Sequence, residues 1–156
     1  MFKQRFHAPH KSLGQFHSLQ WYPMPIVAIG TDLVSLERLR IVWERHPRRF
    51  LERHYTPQEI EYCLSQSDPV ASLAARFAAK EAFQKCWPTN LGWRQVWIER
   101  QGGRPQLGVD NSIRQAMNQQ GWVAHVSLSH ERSMALAVVV IESGLAAVTP
   151  PTEEQG

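Results

Sequence analysis

The sequence predicts an α+β fold, a small antiparallel sheet packed with helices, and three observations carry that expectation. Stretches with helical period alternate with short apolar runs across residues 26–142. The last four of those runs fall into two hairpin-like pairs. One helix announces its start with a capping box and a proline at its first position.

The apolar run 26–29 reads as the first strand, and the following Gly30-Thr31-Asp32 puts a carboxylate where a strand stops and a helix is about to begin. Ser35 can cap a helix over Leu36–Arg45, with Leu36, Leu39 and Trp43 towards the core. Arg38 and Arg45, seven residues apart, share its other side. Pro47 ends it, and a second helical region follows. Thr56-Pro57-Gln58-Glu59 is the capping box, and it starts a helix over Pro57–Leu64. Another begins near Pro69 and runs to Cys86. Strands at 96–100 and 106–109 flank the loop Gln101-Gly102-Gly103-Arg104-Pro105, which has room for a ligand close to backbone. Asn111–Gln120 is a short helix stopped by Gly121. Strands at 123–129 and 134–141 close the domain around a tight turn at 130–133. In the first of these, Ala124, Val126 and Leu128 face one side while His125, Ser127 and Ser129 face the other. The second is almost wholly apolar, so both of its faces need cover.

Within Pro69–Cys86 the apolar positions Val70, Leu73, Ala74, Phe77 and Ala78 recur at three- and four-residue spacing, and the stripe continues onto Glu81. An acid on a buried face needs a cation, a metal or a proton, because an unpaired buried charge costs several kcal/mol or more, to order of magnitude. Asp32 is a second such acid, and two carboxylates can share one hard metal ion.

Composition sets the outer bounds. The 156 residues are 43% hydrophobic and 20% charged, enough for the core of one modest domain. No apolar stretch approaches the ~20 residues that span a bilayer, and no secretory signal is evident. A cytoplasmic protein without a membrane partner is expected. Cys63 and Cys86 show no metal-ligand spacing and read as buried thiols. The pI of about 9.1 accompanies a net charge of +3, and the excess lies in residues 38–53, which suits an acidic partner. Residues 1–25 lack Asp and Glu and show no period. They read as a poorly ordered extension, weakly like an organelle transit peptide, with Met24 the plainer start. Residues 143–156 read as a tail.

Four segments together resemble a known family: Gly30-Thr31-Asp32-Leu33-Val34 followed by Glu37-Arg38; Phe50-Leu51-Glu52-Arg53-His54-Tyr55-Thr56; Arg76-Phe77-Ala78-Ala79-Lys80-Glu81-Ala82 with Lys85; and Ser127-Leu128-Ser129-His130. In this order they look like holo-acyl-carrier-protein synthase, the short class of 4′-phosphopantetheinyl transferases. The resemblance covers residues 26–142. Cys86 stands where the family usually has alanine, and the N-terminal extension is a larger departure.

The resemblance implies that a carrier-protein serine attacks the β-phosphorus of coenzyme A, which releases adenosine 3′,5′-bisphosphate, in fatty acid biosynthesis. It implies that Asp32 and Glu81 hold Mg²⁺, with Glu81 and Lys85 as the catalytic pair, and that Arg76 and Lys85 help bind coenzyme A. Ser127, Ser129 and His130 resemble the segment contacting the nucleotide's 3′-phosphate, and Gly103 and Pro105 are carried as adenine contacts. Arg38, Arg45 and Arg48 match the arginines that dock an acidic helix of the acyl carrier protein, and the family forms homotrimers. Each residue also has a plainer reading. Glu81 and Lys85 suit an ordinary i,i+4 ion pair, Arg76 and Lys80 a solvated basic edge, and Ser127–His130 a polar strand end. A magnesium-dependent phosphohydrolase and a small basic nucleic-acid-binding domain are the alternatives from other classes. The six tryptophans do not interleave with Lys or Arg along a strand, so no nucleic acid is expected as partner.

Overall fold

The computed structural model describes residues 25–144, so the expected extension, apart from Pro25, and the tail beyond Gly144 lie outside the described residues. The chain runs β1 (Ile26–Ser35), α1 (Leu36–Arg45), α2 (Pro47–His54), α3 (Pro57–Leu64), α4 (Pro69–Cys86), β2 (Val96–Gln101), β3 (Arg104–Val109), α5 (Asn111–Gln120), β4 (Trp122–His130) and β5 (Met134–Ser143). This is the expected α+β arrangement. β5 lies between β1 and β4 in an antiparallel sheet, and β2 pairs with β3 as a separate hairpin.

α4 is the axis of the molecule. Its N-cap Asp68 accepts from Val70 N at 3.1 Å and Ala71 N at 3.3 Å, a cap worth about 1 kcal/mol. Small residues allow it to lie close to the sheet, where Ala78, Ala79 and Ala82 share a core with Ala137, Val139 and Ile141. Gly30 sets the closest approach, since a Cβ there would collide with the Ala82 carbonyl oxygen. A second core cluster gathers Leu36, Leu39, Phe50, Tyr55 and Leu73 beneath the short helices.

The first strand is longer than its sequence suggests. β1 continues through Gly30-Thr31-Asp32 to Ser35, and Asp32 pairs with Ala137 in the middle of the ladder. The polar residues looked like a strand end, yet β5 supplies partners for their backbone along the whole length. Pro47 both follows α1 and opens α2 at its first position. The capping box forms as expected, with Glu59 N on Thr56 Oγ1 at 3.3 Å and Thr56 N on Glu59 Oε2 at 2.9 Å. Gly102 and Gly103, with φ of 57° and 82°, make the two-residue turn between β2 and β3, a left-handed pair that matches strand twist.

Strand alternation gives the sheet two unlike faces. Ala135, Ala137, Val139 and Ile141 of β5 are fully buried under α4. Ile29 and Leu33 of β1, Leu136 of β5 and Val123 of β4 are exposed on the single chain.

Candidate active site

Asp32 sits on the face of β1 that meets α4, where Glu81 and Lys85 follow one another a helical turn apart. Asp32, Glu81 and Arg38 line one cavity of about 380 Å³, walled by Leu33, Val34, Leu39, Val42, Phe50 and Phe77. Lys85 Nζ donates to Asp32 Oδ1 at 2.9 Å and to the Thr31 carbonyl at 2.6 Å. It therefore bridges to β1 and does not form the simple helix-face pair with Glu81. Glu81 is only half-buried, which corrects the expectation of a buried acid. Its position is where the apolar stripe of α4 emerges at the cavity. Burial and the neighbouring Asp32 carboxylate raise its pKa, and the Lys85 ammonium opposes them. Two carboxylates that repel each other across a cavity suit a divalent cation.

The deepest charges lie elsewhere. Glu59 and Lys80 are buried and paired at 2.8 Å, and Lys80 Nζ also donates to the Trp93 carbonyl at 2.9 Å. The other oxygen of Glu59 accepts from Ile98 N at 3.0 Å. Burial pulls the Lys80 ammonium below its ordinary value, against the pull of Glu59. Arg76, one turn earlier on the same face, is 5% exposed. Its guanidinium lies 4.2 Å over the Tyr62 ring, one nitrogen donates to the Ser72 carbonyl at 3.2 Å, and Nε has no partner. The solvated basic edge is thus overturned. These cations are buried because α3 and the β2–β3 hairpin cover that side of α4.

Apart from Arg38, the remaining predicted residues do not join Asp32 and Glu81 within one chain. Arg76 lines a separate pocket with Tyr62, Trp97 and Arg100. Pro105 and Ser127 line a cleft of about 590 Å³ between β3 and β4. Ser127 aligns with Val138 and, across it, Thr31, so it points to the sheet face opposite Asp32. Ser129 and His130 are exposed at the end of β4, and Gly103 is at the hairpin tip. Arg45 is exposed at the end of α1. Arg48 belongs to α2, where it pairs with Glu52 at 2.7 Å. Arg38 alone of these arginines lies with the acids, in their cavity.

Residues 28–139 match the family model described as the 4′-phosphopantetheinyl transferase superfamily. The chain belongs to that superfamily. Over 118 residues it is 51% identical to the holo-[acyl-carrier-protein] synthase of Thermus thermophilus, which spans 76% of this chain and 94% of that one. The crystal structure of the holo-[acyl-carrier-protein] synthase from Neisseria meningitidis is similar with a TM-score of 0.70 at 34% identity, over 76% of this chain and 99% of that one. The Helicobacter pylori synthase in complex with coenzyme A is similar with a TM-score of 0.64 at 28% identity, over 73% and 99% of the two chains. The phosphopantetheinyl transferase fold is therefore shared, and the chain is an enzyme of the holo-[acyl-carrier-protein] synthase kind.

Sequence reasoning singled out Asp32, Glu81 and Lys85, which the fold brings together, but passed over the Glu59–Lys80 pair. Glu59 already had a local role in the capping box. The signal available was a basic residue inside an otherwise apolar helix stretch, which the solvated-edge reading absorbed.

Proposed function

We propose that this enzyme, in the cytoplasm and with Mg²⁺, moves the 4′-phosphopantetheine group of coenzyme A onto a serine of an apo acyl carrier protein, supplying fatty acid biosynthesis. The observation that carries the reading is Asp32 on β1 and Glu81 on α4 lining one cavity, with Lys85 paired to Asp32. Among the described residues no third His, Cys, Asp or Glu joins the two acids in a metal-sized cluster. That donor set fits Mg²⁺, which binds through one or two carboxylates and fills its sphere with water and phosphate oxygens. Bound there, it would offset the charge that builds on the diphosphate during transfer.

The chain's own residues do the positioning. Asp32 and Glu81 hold their carboxylates on two different elements, so the site depends on how α4 packs on β1. Lys85, half exposed on a flexible stem, can exchange Asp32 for a phosphate oxygen without leaving its helix face. The serine oxygen forms a bond to the β-phosphorus as the bond to the α-phosphate oxygen breaks, and adenosine 3′,5′-bisphosphate departs. Such chemistry calls mainly for alignment and charge neutralisation. Arg76, with Nε unpartnered, is suited to an anionic part of coenzyme A, and the β3–β4 cleft of Pro105 and Ser127 to its nucleotide. Exposed Arg45 and Arg48, with Arg38 at the cavity edge, present a basic surface to an acidic carrier helix, which mainly speeds encounter.

Assembly completes the reading. Ser127 and Asp32 lie on opposite sheet faces two strands apart, roughly 10 Å in the sheet plane. One coenzyme A touching both is most simply shared between copies, as in a homotrimer. Asp32→Asn and Glu81→Gln test the site. Each is expected to melt like the parent and to lose transfer at ordinary Mg²⁺ levels, whereas near-normal turnover in either contradicts the shared-metal site.

A further inference from the structure

Lys80 stands one residue before Glu81 on α4, yet it does not line the cavity of the two acids. With its side chain 3% exposed, it is tied to Glu59 Oε2 at 2.8 Å and to the Trp93 carbonyl at 2.9 Å. Glu59 Oε2 also accepts from Thr56 N at 2.9 Å, and Oε1 from Ile98 N at 3.0 Å. One ion pair thereby joins the first turn of α3, the middle of α4, the loop before β2, and β2 itself. A buried pair of this kind contributes little net stability, since packed apolar side chains of similar volume do as well or better. It supplies direction instead. With both carboxylate oxygens satisfied and the ammonium held at two points, α4 has one axial position and one rotation.

We infer that Glu59 and Lys80 are positioning residues for the metal site, holding α4 in the setting that brings the Glu81 carboxylate to Asp32 across the cavity. The inference rests on the reading that Asp32 and Glu81 hold Mg²⁺. Adjacent helix residues are about 100° apart, so any rotation of α4 at Lys80 is passed unchanged to Glu81. At the ~5–6 Å radius of a helical side chain, a turn of about 10° moves a carboxylate by roughly 1 Å. Mg²⁺ demands near-octahedral ligands at about 2.0–2.1 Å and does not accommodate that shift. Groups that support metal ligands from outside typically change affinity about 10–100-fold.

The test titrates the full chain, with coenzyme A present, using Mn²⁺ as a paramagnetic probe and electron spin resonance as readout. Three proteins are compared: the parent, Asp32→Asn, and the double variant Glu59→Gln with Lys80→Met, which removes both charges so that neither is left buried alone. Asp32→Asn should lose saturable binding. The folded double variant should bind Mn²⁺ about 10–100-fold more weakly, while turnover extrapolated to saturating metal falls much less. A role confined to stability would lower the melting temperature without moving the metal affinity. If the double variant does not fold, Glu59→Asp keeps the charge and withdraws it by one methylene, and a weaker shift in the same direction is expected. Parent-like Mn²⁺ affinity in either folded variant, with Asp32→Asn defective, overturns the inference and leaves the metal site standing. Parent-like binding by Asp32→Asn overturns the metal site and the inference with it.

Discussion

His54 packs its ring against Phe50, Phe77 and Trp93, with centroids 4.6, 5.7 and 4.8 Å away. Nδ1 lies 2.8 Å from the Phe50 carbonyl, which can only accept, so the proton sits on Nδ1. Burial lowers its pKa, the Phe50 bond opposes this, and Arg53 and Lys80 add to the lowering. The folded chain thus resists a proton that the unfolded chain takes up near pH 6.5, to within about a unit. Stability from this group is present above that pH and is lost as pH falls towards the folded value. His54→Phe should flatten the decline of melting temperature between about pH 7.5 and 5.5; an identical decline in parent and variant assigns it to other groups. The sequence placed this histidine in one of the four family-like segments but gave no sign of its burial, because the aromatic cluster joins α2, α4 and the loop before β2. Asp32 and Glu81 were legible because an acid at the end of an apolar pattern is a local signal. Glu59 was legible only as a cap, since its second partner is 21 residues away.

Between elements, the approach of β1 to α4 decides whether the acids meet. A methyl group at Gly30 would press on the Ala82 carbonyl and lie 2.8 Å from Cys86 Sγ, and backbone cannot yield as a side-chain tip can. Gly30→Ala should therefore cost about 1–3 kcal/mol or more in a thermal or denaturant melt, and should lower transfer by separating Asp32 from Glu81. A melt within error of the parent would show that the two elements pack less closely than described. The capping box, the glycine pair of the hairpin and the apolar period of α4 were all readable, because each depends on neighbours in sequence. The length of β1 was not. It depends on β5, more than a hundred residues later, which pairs with it from Ile26 to Ser35.

For the molecule as a whole, the sheet face away from α4 carries its most exposed apolar side chains on β1. Ile29 is 60% exposed and Leu33 58%, with Leu136 and Val123 exposed on the same sheet face, and a second copy of the chain is the simplest cover for such apolar side chains. On the apolar strand 134–141, α4 covers one face, and on the other Leu136 is exposed while Met134, Val138 and Val140 are partly so. Leu33→Glu with Leu136→Glu should give a monomer in sedimentation and remove transfer, and a monomeric parent with full activity would contradict shared sites. The transfer reaction is tested directly by the mass of an apo acyl carrier protein after incubation with the full chain, coenzyme A and Mg²⁺. The carrier should gain the mass of one phosphopantetheine, with adenosine 3′,5′-bisphosphate released in equal amount and neither product formed by Asp32→Asn. A carrier of unchanged mass while coenzyme A is hydrolysed would contradict it.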